Sequence, residues 1–530
     1  MKVVIAEKIS PAAEELFRAE SRWDLVTHDK INGNLSAELA NADALIVRSA
    51  VQVDASVIEH ANKLRVIGRA GVGVDNIDLE AATKKGIAVM NTPGANAIAV
   101  AEHTLGLMLA MARHIPRATA LLHDGKWEKK SLQGTELRGK TLGVVGLGRI
   151  GVEVTKRAKA FEMRVLAHDP YVASSVADEL EIALVALDDL YALADYITLH
   201  LGLTAQTARM INTESLKKMR KGVRLVNCAR GELVDDAALA QALESGHVAG
   251  AALDVFSEEP PTHSPLLKLP NAILTPHIGG STREAQEAVG YQIALQVKEY
   301  LKAGVIQNAV NVPSVTHEEY VEMQPYIILA EKLGSFLAQT VEGNVEEISI
   351  RFSGPIAEWK TELIRNAAVK GMLNQIVSER ANVVNAAAIA AERGIRIRES
   401  KKQKVSGGGA ANVVGVALKS RTGEHVVRGS VLHGDSTRLL GVDDIVVEAP
   451  LERHMIYMRN KDVPGVIGKI GTILGKHNIN IANFSLGRTD KNRKPVEAIA
   501  VVHVDSRVPS EVLEELRSVE AVSVARAVTL

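Results

Sequence analysis

The chain has 530 residues, 62 of them Lys or Arg and 63 Asp or Glu, for a formal net charge of −1. At about 100–200 residues per domain this length calls for three or four domains, and the balanced charge gives no reason to expect nucleic acid or an anionic membrane as partner. Cys228 is the only cysteine, which excludes an intramolecular disulfide; no apolar run is long enough to cross a bilayer, and MKVVIAEKIS lacks a signal-peptide core, so a cytoplasmic globular protein is expected.

In chain order, MKVVIAEKIS is a short strand ahead of a helix that Ser10 and Pro11 would start. ADALIVRSA and LRVIGRAGVGVDNID repeat an apolar strand ending in polar or glycine residues, and KKGIAVMNTPG closes the series, a complete α/β unit. Ligands of open α/β sheets lie outside the carboxyl ends of the strands. Arg48 and Ser49, just past LIV, and Arg69, just past VI, are therefore placed to meet a ligand; the plainer reading makes both arginines solvated loop charges. AIAVAEHTLGLMLAMAR, residues 97–113, has helical apolar spacing and is expected to pack between this unit and the next.

TLGVVGLGRIGVEVTKRAKAFEMRVLAHDP, residues 141–170, carries an apolar run that ends in Gly146-x-Gly148-x-x-Gly151. These glycines suit a strand-to-helix junction at a pyrophosphate: one makes the tight turn, one admits the phosphates, one packs helix on sheet. Arg149 and Ile150 open the helix, where free N–H groups and the positive end of the dipole face the phosphates. The following strand, MRVLAHD, ends in Asp169, placed to hydrogen-bond the adenine ribose and to repel a 2′-phosphate, so NAD is expected rather than NADP.

Three later strand ends carry the chemistry. RLVNCARG holds Cys228, Ala229 and Arg230, GAALDVFSEEPP holds Asp254 and Glu259, and AILTPHIGGST holds His277, Gly279 and Gly280. Moving a hydride from an alcohol carbon requires a group that accepts the hydroxyl proton, and histidine titrates near working pH. A carboxylate on the other ring nitrogen, a role open to Glu259, fixes the tautomer; an arginine fork, open to Arg230, binds a carboxylate in two places. Singly each has a duller reading, a turn histidine or an acid ahead of two prolines, and Cys228 reads as a small packed side chain. Their placement on consecutive strand ends favours the joint role.

From 315 to 450 the chain reads as a helix (YIILAEKLGSFLAQT), a strand (VEEISIRFSG), an alanine-rich helical stretch (ELIRNAAVKGMLNQIV, NVVNAAAIAAERG) and a hairpin (EHVVRGSVLHG, TRLLGVDDIVVEA). The basic, glycine-rich run ESKKQKVSGGG lacks a strand-to-helix context and reads as an exposed hairpin tip rather than a phosphate loop. After residue 453, HMIYMRN, VIGKIGTILGKHN, INIANFSLGR, PVEAIAVVHVD, SRVPSEVLEELRSV and AVSVARAV run βαββαβ, the ferredoxin-like order.

LGVVGLGRIG, VNCARGELVDD, AALDVFSEEPP and TPHIGGST resemble the signatures of the D-isomer-specific 2-hydroxyacid dehydrogenases. VRSA, IGRAGVGVDNIDLEAATKKGIAVMNTPGAN, DGKWEKKSLQGTEL and the tail narrow the resemblance to the long D-3-phosphoglycerate dehydrogenase branch, over essentially the whole chain. It implies an α/β fold of two Rossmann-like lobes: a substrate lobe, 1–96 and 291–312, and an inserted NAD-binding lobe, 97–290. An α+β intervening domain, 313–450, and a ferredoxin-like ACT domain, 453–530, follow.

The implied reaction is oxidation of 3-phosphoglycerate to 3-phosphohydroxypyruvate with NAD, the first step of L-serine biosynthesis, by a homo-oligomer, dimer or tetramer, without a metal. Arg230, Glu259 and His277 carry over as the catalytic set, and Arg48, Ser49, Arg69 and Gly71 join Arg230 and His277 as substrate contacts. Cys228, Ala229, Arg230, Asp254, His277, Gly279 and Gly280 join the fingerprint and Asp169 at the cofactor, and Asn460, Asp462 and Asn480 are the implied seat of an L-serine effector. One departure stands out: where the family has a proline shortly after the YITLH strand, this chain has Leu201-Gly202, in a loop that passes the cofactor. Competing readings are a relative acting on another hydroxy acid, a non-catalytic NAD sensor of the same fold, and an ACT module that only assembles subunits.

Overall fold

The computed structural model describes residues 1–530 except 32, 342, 378–379, 405–409, 421–422 and 490–495. The first sheet has five parallel strands in the order Asp24–Val26, Lys2–Ile5, Ala44–Val47, Val66–Arg69, Ala88–Met90. Ala44–Val47 is buried throughout, the mark of a parallel strand covered on both faces. Pro11 opens the first helix, Pro11–Arg18, where its missing N–H costs nothing.

The chain returns to this lobe through the helix Arg283–Ala303, capped by Thr282. Ile293, Ala294 and Val297 of that helix share one apolar cluster with Val3, Ile5 and Phe17. A Cβ on Gly290 would stand 3.2 Å from Ser10 Oγ, so the helix already lies against the first lobe ahead of residue 291.

Seven parallel strands form the second sheet, in the order Ala272–Leu274, Val248–Leu253, Val223–Asn227, Tyr196–Leu199, Thr141–Val145, Arg164–His168, Ala183–Leu184. The strand order reverses beside Thr141–Val145, and doubly wound sheets bind ligands at that switch point. The helix Ala97–Ala112, expected between the lobes, packs against this second sheet: Val100, Leu105 and Met108 cluster with Leu142, Val144 and Val226. It packs against those strands and against the helix Arg149–Ala160, leaving a stripe of Ile98, Glu102 and Gly106 exposed.

A six-stranded sheet follows, in the order Arg396–Lys402, Val345–Ser353, Val413–Ser420, Gly423–Leu432, Ser436–Val442, Ile445–Pro450. The helices His317–Thr340 and Glu362–Ile376 pack against each other beside it. Part of the basic run read as a hairpin tip is thus a strand, paired parallel with Val345–Ser353; its alternation is of charged side chains on an exposed edge, which leaves no apolar period. The glycines of that run lie outside the described residues. Only Ala386–Glu392 of NVVNAAAIAAERG is helical, because Asn382 and Asn385 exchange side-chain bonds with each other's backbone and form a turn.

The last sheet, in the order Ile481–Arg488, Glu497–Val504, His454–Lys461, Val522–Thr529, is antiparallel, with the helices Val466–Lys476 and Ser510–Arg517 on one face. Its other face joins the cluster that contains the helix His317–Thr340, through Met455, Tyr457 and Val501. Among the described residues no helix is long and apolar enough to cross a membrane, and no group of three His, Cys, Asp or Glu could hold a metal.

Candidate active site

The glycine turn sits at the switch point of the second sheet. A Cβ on Gly151 would run into the Gly146 carbonyl oxygen, so only glycine lets the helix start so close to the strand; at Gly148 a Cβ would meet nothing within 4 Å, which leaves open ground for a diphosphate. The first N–H groups of the helix, those of Arg149 and Ile150, precede its first internal bond, Val152 N–H to Gly148 O. Asp169 stands across the turn: Oδ2 accepts from Leu147 N–H at 2.9 Å and Oδ1 from Tyr171 N–H at 2.9 Å, with a lone pair left on each oxygen for ribose hydroxyls. These groups fit a dinucleotide carrying no 2′-phosphate. The Leu201 side chain lies against Gly146, so the departing loop does border this cradle.

The Arg149 side chain turns away from it. Its guanidinium donates to the Pro93 carbonyl oxygen and tethers the helix to the loop that leads out of the first lobe, leaving only the backbone of Arg149 for phosphate.

His277 Nδ1 lies 2.8 Å from Glu259 Oε2, and Glu259 Oε1 accepts from Phe256 N–H at 3.1 Å. A carboxylate there accepts the Nδ1 proton, leaving the lone pair of Nε2 free. His277 has φ 52°, a left-handed conformation uncommon outside glycine. Asp254, 1% exposed, braces it: Oδ1 accepts from Ile278 N–H at 2.9 Å and from Thr275 Oγ1 at 2.5 Å, and Oδ2 from Gly279 N–H at 2.7 Å. His103 Nε2, from the helix Ala97–Ala112, completes the network at 3.3 Å from Asp254. Burial alone would raise the Asp254 carboxyl, but these hydrogen bonds outweigh it and hold it below the ordinary range. Gly280 packs beside Asn96.

Arg230 projects from the end of Val223–Asn227. Its Nε lies 3.2 Å from Asp75 Oδ2 and its Nη1 donates to Ala229 O at 2.7 Å. Asn227, fully buried, holds the turn by bonding Ala229 N–H and Arg230 O. Cys228 is buried among apolar side chains, and burial pushes its thiol up to about 12, so it is packing rather than a nucleophile.

From the first lobe, Arg69 points along Gly71, whose φ of 148° and missing Cβ leave room for the guanidinium. Burial, and then the nearby Arg230, push the Arg69 pKa down, and Nε has no partner. Arg48 Nη1 donates to Lys8 O at 3.3 Å, while Glu7 takes the N–H groups of Arg48, Ala50 and Val51 and shapes that loop. Ser49 is exposed beside it. Thr92 Oγ1 and Asn96 Oδ1, in the segment that connects the lobes, are also buried without partners. The sequence reading missed Asp75, Thr92, Asn96 and His103; the polar run NTPGAN past a strand was the one signal for the two in the connector.

In the last domain Asn460 and Asp462 line one cavity of about 300 Å³, together with Arg488, whose Nε lies 3.4 Å from Asp462. Asn460 is 5% exposed and its Oδ1 is unpaired. Asn480 is not brought to them: it stands before the far end of Ile481–Arg488 and bonds Asp505 at 2.7 Å.

Comparison with known proteins agrees with this geometry. Residues 105–279 match the D-isomer specific 2-hydroxyacid dehydrogenase NAD binding domain, 322–443 the D-3-phosphoglycerate dehydrogenase intervening domain, and 454–521 the ACT domain. The D-3-phosphoglycerate dehydrogenase of Methanocaldococcus jannaschii is 43% identical over 520 residues, 98% of each chain, and that of Archaeoglobus fulgidus 42% over 523 residues, again 98% of each. Among solved structures, D-lactate dehydrogenase from Aquifex aeolicus complexed with NAD and lactic acid superposes with a TM-score of 0.53 at 29% identity, covering 59% of this chain and 100% of that one. An NAD cradle, a braced histidine–glutamate pair and full-length likeness thus converge: the chain belongs to the D-isomer-specific 2-hydroxyacid dehydrogenase family, in its long D-3-phosphoglycerate dehydrogenase branch.

Proposed function

We propose that the chain oxidises the 2-hydroxyl of 3-phosphoglycerate to the ketone of 3-phosphohydroxypyruvate, opening L-serine biosynthesis, in the cleft between its first two lobes. The observation that carries this reading is the gathering of Arg48, Arg69 and Arg230 at strand ends, with Gly231 packed against Phe256, whose N–H donates to the Glu259 carboxylate that faces His277. NAD, held by the 146–151 turn and Asp169, supplies the hydride acceptor. His277 Nε2 takes the hydroxyl proton, and Glu259 positions the ring and stabilises the imidazolium. Arg230 binds the substrate carboxylate and polarises the neighbouring carbonyl oxygen. Arg69, half-buried and in no ion pair among the described residues, and Arg48 attract the remaining negative charge of the substrate. Closing of the lobes excludes water.

The test is Arg48→Ala and Arg69→Ala. Each removes a charge-assisted contact, so the KM for 3-phosphoglycerate should rise on the order of tenfold to a hundredfold while that for NAD holds. Wild-type saturation in both would remove the phosphorylated substrate from the account.

The C-terminal module is read as the seat of an amino-acid effector, L-serine, at a contact between two copies of the chain. The unpaired Asn460 and the neighbouring Asp462 support a polar ligand there. Asn480 precedes the edge strand Ile481–Arg488, whose far end, Arg488, lines the cavity, so a site using all three residues would take Asn480 from a second copy. A homo-oligomer is also supported by the helix Ile115–His123, none of whose side chains is buried, followed by Trp127 at 82% exposed. The cytoplasm is the proposed location, in keeping with the metabolic enzymes the chain resembles. Calorimetric titration of the whole chain should give heat with L-serine, lost in Asp462→Ala and in Asn480→Ala; no heat at millimolar serine would leave the module an assembly device.

A further inference from the structure

Beside the cleft a cavity of about 250 Å³ opens between the end of the strand Lys2–Ile5 and the first turns of the helix Arg283–Ala303. Lys8, Arg48 and Arg283 line it against one carboxylate, Glu287. None of the three cations takes part in an ion pair among the described residues. Three like charges around one small hollow repel each other, a cost that an anionic ligand would relieve. Ser10, also in the wall, occupies the N-cap position of its helix without making the cap bond, and its buried Oγ has no partner. The starting turn of a 21-residue helix adds N–H groups and a favourable dipole for an anion.

The loop after Val66–Arg69 runs from the cavity towards Arg230. Ala70 lines it, the Arg69 guanidinium lies against Gly71, and that of Arg230 lies against Gly73, so one short loop joins them. Arg283 in turn follows closely on the loop that carries His277.

We propose that this cavity reads the phosphoryl end of the substrate, with Lys8, Ser10 and Arg283 as specificity-determining residues beyond Arg48. The inference rests on the substrate reading above. A phosphate monoester dianion presents three terminal oxygens, enough for the ammonium, the guanidinium forks and the hydroxyl together. A 2-hydroxy acid without phosphate reaches Arg230 and His277 but leaves this wall uncompensated.

The test compares kcat/KM for 3-phosphoglycerate with that for D-glycerate in the wild type, in Lys8→Gln and in Arg283→Gln, with Arg48→Ala as reference. The ratio should fall on the order of tenfold in each glutamine variant, through KM for the phosphorylated acid. Inorganic phosphate should compete with 3-phosphoglycerate in the wild type and about tenfold more weakly in the variants, a readout that survives a general loss of activity. If Arg48→Ala loses discrimination while both glutamine variants keep the wild-type ratio and phosphate inhibition, the cavity plays no part and the substrate reading stands. A wild type that does not discriminate between the two acids would overturn both.

Discussion

Glu259→Gln isolates the positioning role of the carboxylate, because the amide keeps its shape. Glu259 Oε1 accepts from Phe256 N–H at 3.1 Å while Oε2 faces His277 Nδ1 at 2.8 Å. A glutamine must leave its oxygen on the Phe256 N–H, since a donor facing a donor loses that bond, so its NH2 group turns towards Nδ1. Nδ1 then accepts and Nε2 carries the ring proton, the tautomer that cannot take a proton from the substrate. The corresponding change behind the histidine of serine proteases costs about 10⁴ in kcat. Here the His277 and Glu259 side chains are 53% and 39% exposed, so water can partner the productive tautomer part of the time. The expected loss is therefore smaller, roughly 10²–10³ in kcat, or about 3–4 kcal/mol. Steady-state NADH formation at saturating substrate measures it, with His277→Ala as the reference for loss of the base and an unchanged KM for NAD as the check on folding. A kcat close to wild type would show that Glu259 does not set the histidine tautomer.

Asp169→Ala should narrow the preference for NAD over NADP, chiefly through the KM for cofactor, because the carboxylate faces the ground that a 2′-phosphate would need; an unchanged ratio of the two KM values would place discrimination elsewhere. Asp254 contributes a pH-dependent part of stability. Its folded-state pKa is lowered, so the contribution is fully present above the unfolded value of about 3.9 and is lost as pH falls through the folded value. Asp254→Asn should accordingly lower Tm at neutral pH, with the gap to wild type closing below about pH 4; a gap constant across that range would contradict the network assigned to it.

What the sequence revealed follows from where its signals lie. Gly146, Gly148, Gly151, Asp169, Arg230, Glu259 and His277 each sit at or just past an apolar run, and in a parallel sheet such runs announce buried strands whose ends face one edge. The brace behind His277 carried no such mark. His103 lies mid-helix and meets Asp254 only after that helix packs on the second sheet. Asp75 meets Arg230 across the cleft, a contact fixed by how two lobes face each other. Asn480 immediately precedes a strand that walls the Asn460 cavity, yet the pattern of that strand does not say which end a ligand would occupy. Arg396–Lys402 went unread because a charged edge strand looks like a loop until its partner is known.

In the proposed reaction NAD oxidises a phosphorylated hydroxy acid while a histidine held at its other nitrogen takes the proton. The most direct measurement is kcat/KM, with NAD, for 3-phosphoglycerate beside D-glycerate and 2-hydroxyglutarate under one set of conditions. Three cationic side chains, Arg48, Arg69 and Arg230, lie near one another, and on the proposed reading losing the phosphate forfeits at least one charge-assisted contact, so 3-phosphoglycerate should lead by on the order of a hundredfold. Equal or better turnover of either unphosphorylated acid would contradict the account, because the half-buried Arg69 and the arginines beside it would then gain nothing from the phosphate they are proposed to meet.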